Sequence, residues 1–167
     1  RVDGPGARTR VLAPDVEHCA QLLREQRASF ELAVVVTESL FSMDGDIAPL
    51  GELRALADRH DAALFVDDAH AFGVYGPQGR GLCHALGVVP DLVSATFGKA
   101  FGTHGGFVTG SDDLIETLIQ QSRTYIYTTA LPAAVAAATL ASLQIARSEE
   151  WRREKLRALV QRFRNGA

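Results

Sequence analysis

The chain has 167 residues, 47% of them hydrophobic and 22% charged, with a formal net charge of −3 at pH 7. This length and apolar fraction suit one globular domain with a sizeable core and exclude a disordered tail. The mild acidity gives no support to nucleic acid or an anionic membrane as partner, and no apolar run reaches the ~20 residues that span a bilayer.

The opening "RVDGPGARTR" is polar and has no apolar h-region, so no secretory signal is visible. With no initiator methionine, the chain is expected to be a segment of a longer protein. "DVEHCAQLLREQ" carries apolar residues at helical spacing, with Asp15 as its expected N-cap. "LAVVV" (Leu32 to Val36) is a continuous apolar run, which predicts a strand buried on both faces. After the polar loop "TESLFSMDGD", the segment "APLGELRALADRH" sets Leu50, Leu53, Leu56 and Ala57 on one helical face. "AALFVDD", "DLVSATFG" and "GGFVTG" read as three further strands, and "SDDLIETLIQQSR" as a capped amphipathic helix. The long tail from Leu131 is helix-rich, with a change of character near Ser148 to Glu150. Two cysteines, Cys19 and Cys83, stand far apart without C-x-x-C spacing. Neither a disulfide framework nor a zinc site is expected, and a cytoplasmic setting is.

Strand–helix alternation of this kind predicts an α/β fold with a mostly parallel sheet and flanking helices. Ligands collect beyond the carboxyl ends of such strands, and three unusual segments fall there: "TESLFSMDGD", "DDAHAFGVYGPQGRG" and "GKAFGTHGG". Asp67 and Asp68 end a strand, so at least one carboxylate begins partly buried and needs a partner. His70, three residues after Asp67, can face the same pocket. An acidic turn capping the next segment explains the same residues, and a divalent-metal cluster is the weaker option for lack of further ligands. Lys99 is one of only two lysines, with Lys155, beside fifteen arginines. In a dry turn lined by Gly98, Gly102, Gly105 and Gly106 its amine is a candidate nucleophile or base; a lysine snorkelling from a surface loop is the plain alternative. A phosphate-loop reading fails, because Gly98-Lys99 is followed by Ala100. A lysine and a carboxylate on neighbouring strand ends can together hold an aldehyde cofactor, the lysine as a Schiff base and the acid on a pyridinium nitrogen.

"TESLFSMDGDIAPL", "VDDAHAFGVYGPQGRG", "TFGKAFGTHGG" and "YIYTTALP" resemble the α-oxoamine synthases, a branch of the fold-type I pyridoxal 5′-phosphate (PLP) enzymes. The resemblance runs over nearly the whole chain. It implies PLP as cofactor and the decarboxylative condensation of an amino acid with an acyl-CoA, with L-alanine and pimeloyl-CoA as the nearest pattern within the family; glycine or serine with another acyl-CoA is the alternative. Lys99 is then the attachment point of the cofactor and the base for the substrate α-proton. Asp67 pairs with the pyridine nitrogen and His70 hydrogen-bonds the phenolic oxygen. Ser42 lies beside the ring and Thr96 contacts the phosphate. Thr128 reaches the phosphate of a neighbouring subunit, since family sites form at a homodimer interface. Glu38 is a supporting residue rather than a catalytic one.

The resemblance makes residues 1–148 part of a PLP-binding large domain and residues 149–167 a helix leading towards a small C-terminal domain that the chain lacks. Ala71-Phe72 stands where Gly-Thr is common in the family branch, so Phe72 either reshapes the pocket or only packs. The family's upstream segment, with a histidine stacked on the ring, and its downstream arginine for the substrate carboxylate have no match in this chain. The chain alone is therefore expected to bind PLP poorly, and a catalytically silent fragment serving as an interaction module is the reading from another class.

Overall fold

The computed structural model describes residues 15–166, and the opening polar stretch with its missing h-region lies outside the described residues. Helix α1 (Val16–Gln26) begins where expected: Asp15 has extended backbone, and its Oδ1 accepts from the amides of Glu17 (2.9 Å) and His18 (3.4 Å). Strand β1 (Val34–Glu38), helix α2 (Leu50–Arg59), strand β2 (Ala63–Asp67), helix α3 (Leu82–Ala85) and strand β3 (Leu92–Thr96) follow in alternation. Strand β4 (Gly106–Gly110) then leads to helices α4 (Asp112–Gln121), α5 (Arg123–Ile126), α6 (Ala133–Ser148) and α7 (Trp151–Gly166). The change of character near Ser148 to Glu150 is a helix break, with Glu149 off helical geometry between α6 and α7.

The sheet has four strands in the order β1-β2-β3-β4; β1, β2 and β3 run parallel, and β4 returns antiparallel to β3. Antiparallel pairing needs no crossover, and β3 and β4 are joined directly by the loop that carries Lys99. The core lies between the sheet and α2. Leu50, Leu53, Leu56 and Ala57, the predicted face of that helix, are all buried; Leu64 and Val66 of β2 meet Leu50, Leu53 and Ala57, while Leu56 packs with Cys19 and Ala20 of α1. Full burial of side chains such as Leu50, Leu64 and Val66 stabilises by about 1.5–3 kcal/mol each.

One expectation fails. The apolar run of β1 is not buried on both faces: Val34 and Val36 are exposed, while Val35 packs on the core. Alternate residues of a strand point to opposite faces, and Val34 and Val36 lie on the face of the sheet opposite Val35, away from the core.

Asp91 ties the entry of β3 to its neighbours. Its Oδ2 accepts from the Leu64 amide (2.7 Å) and from Arg54 Nη1 (2.6 Å). Partial burial pushes this carboxyl up, but the Leu64 amide and the Arg54 guanidinium outweigh that and hold it below the usual carboxylate range. A depressed native pKa contributes stability that is present above the unfolded value and lost as pH falls through the native one. Because the group is half exposed, solvent screening limits the effect. Asp91→Asn is expected to cost about 1 kcal/mol at pH 7 in urea unfolding, and the gap to wild type should close in acid below about pH 4.

Candidate active site

Glu38, Asp67 and Ser94 stand in register across β1, β2 and β3, forming a row at the carboxyl ends of the parallel strands. The side-chain period of two turns the consecutive acids Asp67 and Asp68 different ways. Asp68 is 2% exposed, and its Oδ1 accepts from the Leu82 amide at 3.2 Å, the first residue of α3. Burial pushes its carboxyl above the ordinary range, against the opposing pull of the Ser39 hydroxyl and the Leu82 and Cys83 amides. Asp68 therefore organises the loop behind the site. Asp67 is only half-buried; its Oδ1 accepts from the Ala69 amide (2.9 Å), and among the described residues nothing bonds its second oxygen.

His70 follows on the turn after β2. Its Nδ1 lies 3.3 Å from Glu38 Oε2 and 3.5 Å from Lys99 Nζ. The imidazole thus stands between an acid from β1 and the amine from the loop after β3. Glu38 Oε2 is shielded from solvent and has no partner of hydrogen-bond geometry, so this carboxylate oxygen sits within ion-pair reach of His70 without a directed bond. Lys99 itself is exposed, and the dry turn expected for it is not what the structure shows. Its glycine-rich loop is nevertheless tightly closed. The Phe97 amide donates to Gly105 O (2.9 Å), the Thr103 amide to Phe97 O (2.9 Å) and the Gly102 amide to Lys99 O (3.0 Å).

Thr96, at the end of β3, spends its one hydroxyl proton on Gly105 O (2.9 Å) and accepts from the Gly98 amide (3.1 Å). Ser42 is exposed in the turn after β1, which the Leu40–Ile47 bridge and the Phe41 amide bond to Asp46 O (2.9 Å) close. Thr128 follows α5, and its hydroxyl donates to Thr124 O; among the described residues no bond joins it or Ser42 to the lysine cluster. Phe72 packs rather than shaping a cavity: it stacks on Phe101 (centroids 4.5 Å apart) and meets Phe107 edge-on (5.1 Å). No group of three histidine, cysteine or acidic side chains that could hold a metal ion occurs among the described residues. Glu38 stands beside His70 at the end of β1. Its position as the last residue of an apolar strand, level with Asp67, was the available signal.

The cluster brings together a primary amine, an imidazole and carboxylates at the strand ends. These are the groups that an aldehyde-bearing pyridine needs: an amine for the imine, a carboxylate for the ring nitrogen and an imidazole for the phenolic oxygen. The residues present fit PLP.

The profile of the family described as aminotransferase class I and II matches residues 9–167. The 8-amino-7-oxononanoate synthase of Saccharophagus degradans is 54% identical over 155 residues, covering 91% of this chain and 38% of that protein. Among solved structures, the serine palmitoyltransferase of S. paucimobilis with bound PLP–myriocin aldimine is 37% identical with a TM-score of 0.77, over 87% of this chain and 38% of its own. The 8-amino-7-oxononanoate synthase of Francisella tularensis is 33% identical with a TM-score of 0.66, over 81% and 41% respectively. The chain thus spans well under half the length of these relatives. With a family match over nearly its whole length and the lysine cluster at the strand ends where ligands of such sheets collect, the chain belongs to the aminotransferase class I and II family.

Proposed function

We propose that this chain is the lysine-bearing part of the PLP-binding domain of an 8-amino-7-oxononanoate synthase. The full protein condenses L-alanine with pimeloyl-CoA and releases CoA and carbon dioxide, in biotin biosynthesis. The observation that carries the reading is the convergence of Lys99 Nζ, His70 Nδ1 and Glu38 Oε2 beside Asp67.

When bound, PLP supplies an electron sink for the pair left at the amino-acid α-carbon. Lys99 would hold the cofactor, and its amine would take and return a proton at that carbon. Asp67 keeps the ring nitrogen protonated through charge pairing, its second oxygen being uncommitted among the described residues. His70 would hydrogen-bond the phenolic oxygen, with Glu38 Oε2 in ion-pair reach of its Nδ1. Thr96 would serve the phosphate by turning its proton away from Gly105 O. Ser42 flanks the ring, and Thr128 completes the phosphate site of a second subunit in a homodimer. Residues 149–167 lead towards a small domain. Cys19 and Cys83 are free and buried, which suits a cytoplasmic enzyme.

Reduction of the PLP-treated full-length protein with borohydride, followed by peptide mapping, is expected to place one pyridoxyl group on Lys99; label on another residue, or none, overturns the reading. The likeness to serine palmitoyltransferase favours a second version, with serine or glycine as donor and another acyl-CoA. Supplying each amino acid with each thioester and measuring carbon dioxide release separates the two.

A further inference from the structure

We infer that helix α6 is a positioning element for Lys99, acting through the hydroxyls of Ser142 and Thr139. Ser142 Oγ donates to the carbonyl of Phe101 at 2.8 Å, two residues beyond the lysine. One turn earlier on the helix, Thr139 is buried, and its Oγ1 lies 3.0 Å from Thr103 Oγ1 and 2.9 Å from Val135 O of its own helix, so its single proton is divided between the loop and the helix. Thr103 in turn reaches Phe97 O at 3.3 Å, the carbonyl that also accepts the Thr103 amide. The two hydroxyls therefore hold the lysine loop just after Lys99, at Phe101 and Thr103, and Thr103 carries the tie on to Phe97 before it.

The loop needs such a grip. Its internal bonds close its base but leave Lys99 and Ala100 exposed. Phe101 is the loop's buried foot, 7% exposed and stacked on Phe72, yet ring stacking fixes a plane more loosely than a directed bond fixes a carbonyl. Side chains in an alanine-rich helix have a simpler option, which Ser148 of the same helix takes by bonding back to Gln144 O. Ser142 instead sends its proton across to the loop. The effect is to set the backbone from which the Lys99 amine reaches His70, and misplacement of a reacting group by about 1 Å can cost 10²-fold in rate.

The inference rests on the cofactor reading above, but its test has an arm that does not. In the full-length protein without cofactor, Lys99 and Lys155 are labelled competitively with acetic anhydride and their ratio is read by mass spectrometry. Lys155 is exposed on α7 and serves as internal reference. Ser142→Ala and Thr139→Val are each expected to raise the Lys99 to Lys155 ratio about threefold, as the amine leaves its place beside His70 and Glu38, and Ser142→Thr to restore it. Ser148→Ala, which removes a helix hydroxyl with no tie to the loop, should leave the ratio unchanged. The same Ser142→Ala and Thr139→Val proteins should bind PLP about fivefold more weakly, the size one lost hydrogen bond carries. An unchanged labelling ratio in both variants overturns the inference, as does failure of Ser142→Thr to restore it. If the ratio moves while no form of the protein binds PLP, the positioning stands and the cofactor reading falls.

Discussion

Lys99→Arg is expected to abolish borohydride-trapped pyridoxyl incorporation in the full-length protein and to lower condensation by roughly 10⁴-fold, the upper range for loss of a positioned proton-transfer group. Arginine keeps the positive charge and nearly the same reach, so the substitution isolates the chemistry of the amine. A guanidinium stays protonated and forms no imine with an aldehyde. The fold should be untouched, because Lys99 is exposed and its one side-chain hydrogen bond among the described residues is with His70. Absorbance of the PLP-treated protein and peptide mapping check the result. Full activity in the variant, or pyridoxyl shifting to Lys155 without loss of rate, would remove Lys99 from the mechanism.

The second large effect is structural. Gly81 has φ +90°, and a Cβ placed there would lie 1.8 Å from Asp68 Oδ2. Its ψ of 179° puts it in a region open essentially to glycine alone. Asp68 cannot retreat, since it is buried and its other oxygen accepts from the Leu82 amide. Gly81→Ala is therefore expected to destabilise by about 4 kcal/mol, the sum of backbone strain and overpacking. That is a large share of the roughly 5–15 kcal/mol a domain possesses. Urea unfolding measures the loss. The double variant with Asp68→Ala should lose less than the two single losses added together, because it removes the atom in collision. A Gly81→Ala protein melting within about 2 °C of wild type would show the loop to be far more yielding than its contacts suggest.

Periodic features were readable without coordinates. The four apolar residues of α2 repeat at helical spacing and all four are buried, and both Asp15 and Ser111 cap the helices they precede. The candidate site was readable because its residues are chemically conspicuous at strand ends: a rare lysine among glycines, and paired acids followed by a histidine. What stayed hidden depends on pairing across the sequence. The run "LAVVV" cannot reveal that one of its faces stays uncovered, since apolarity reports what a face prefers rather than what covers it. Glu38 gains its meaning only when β1 and β2 align it with Asp67. Ser142 and Thr139 look like ordinary small residues in an alanine-rich helix, and their partners lie some 40 residues away.

The row formed by Glu38, Asp67 and Ser94 ties the chemistry to strand alignment. A slip of one residue between parallel strands exchanges the two faces of a strand completely. In β2 that would drive Leu64 and Val66 outward and trade the places of Asp67 and Asp68, sending the accessible acid into the core and the buried one outward. The hydrophobic alternation that makes the sheet fold is thus also the proofreading of its active acid: an arrangement with the wrong carboxylate forward is one that has already lost its core.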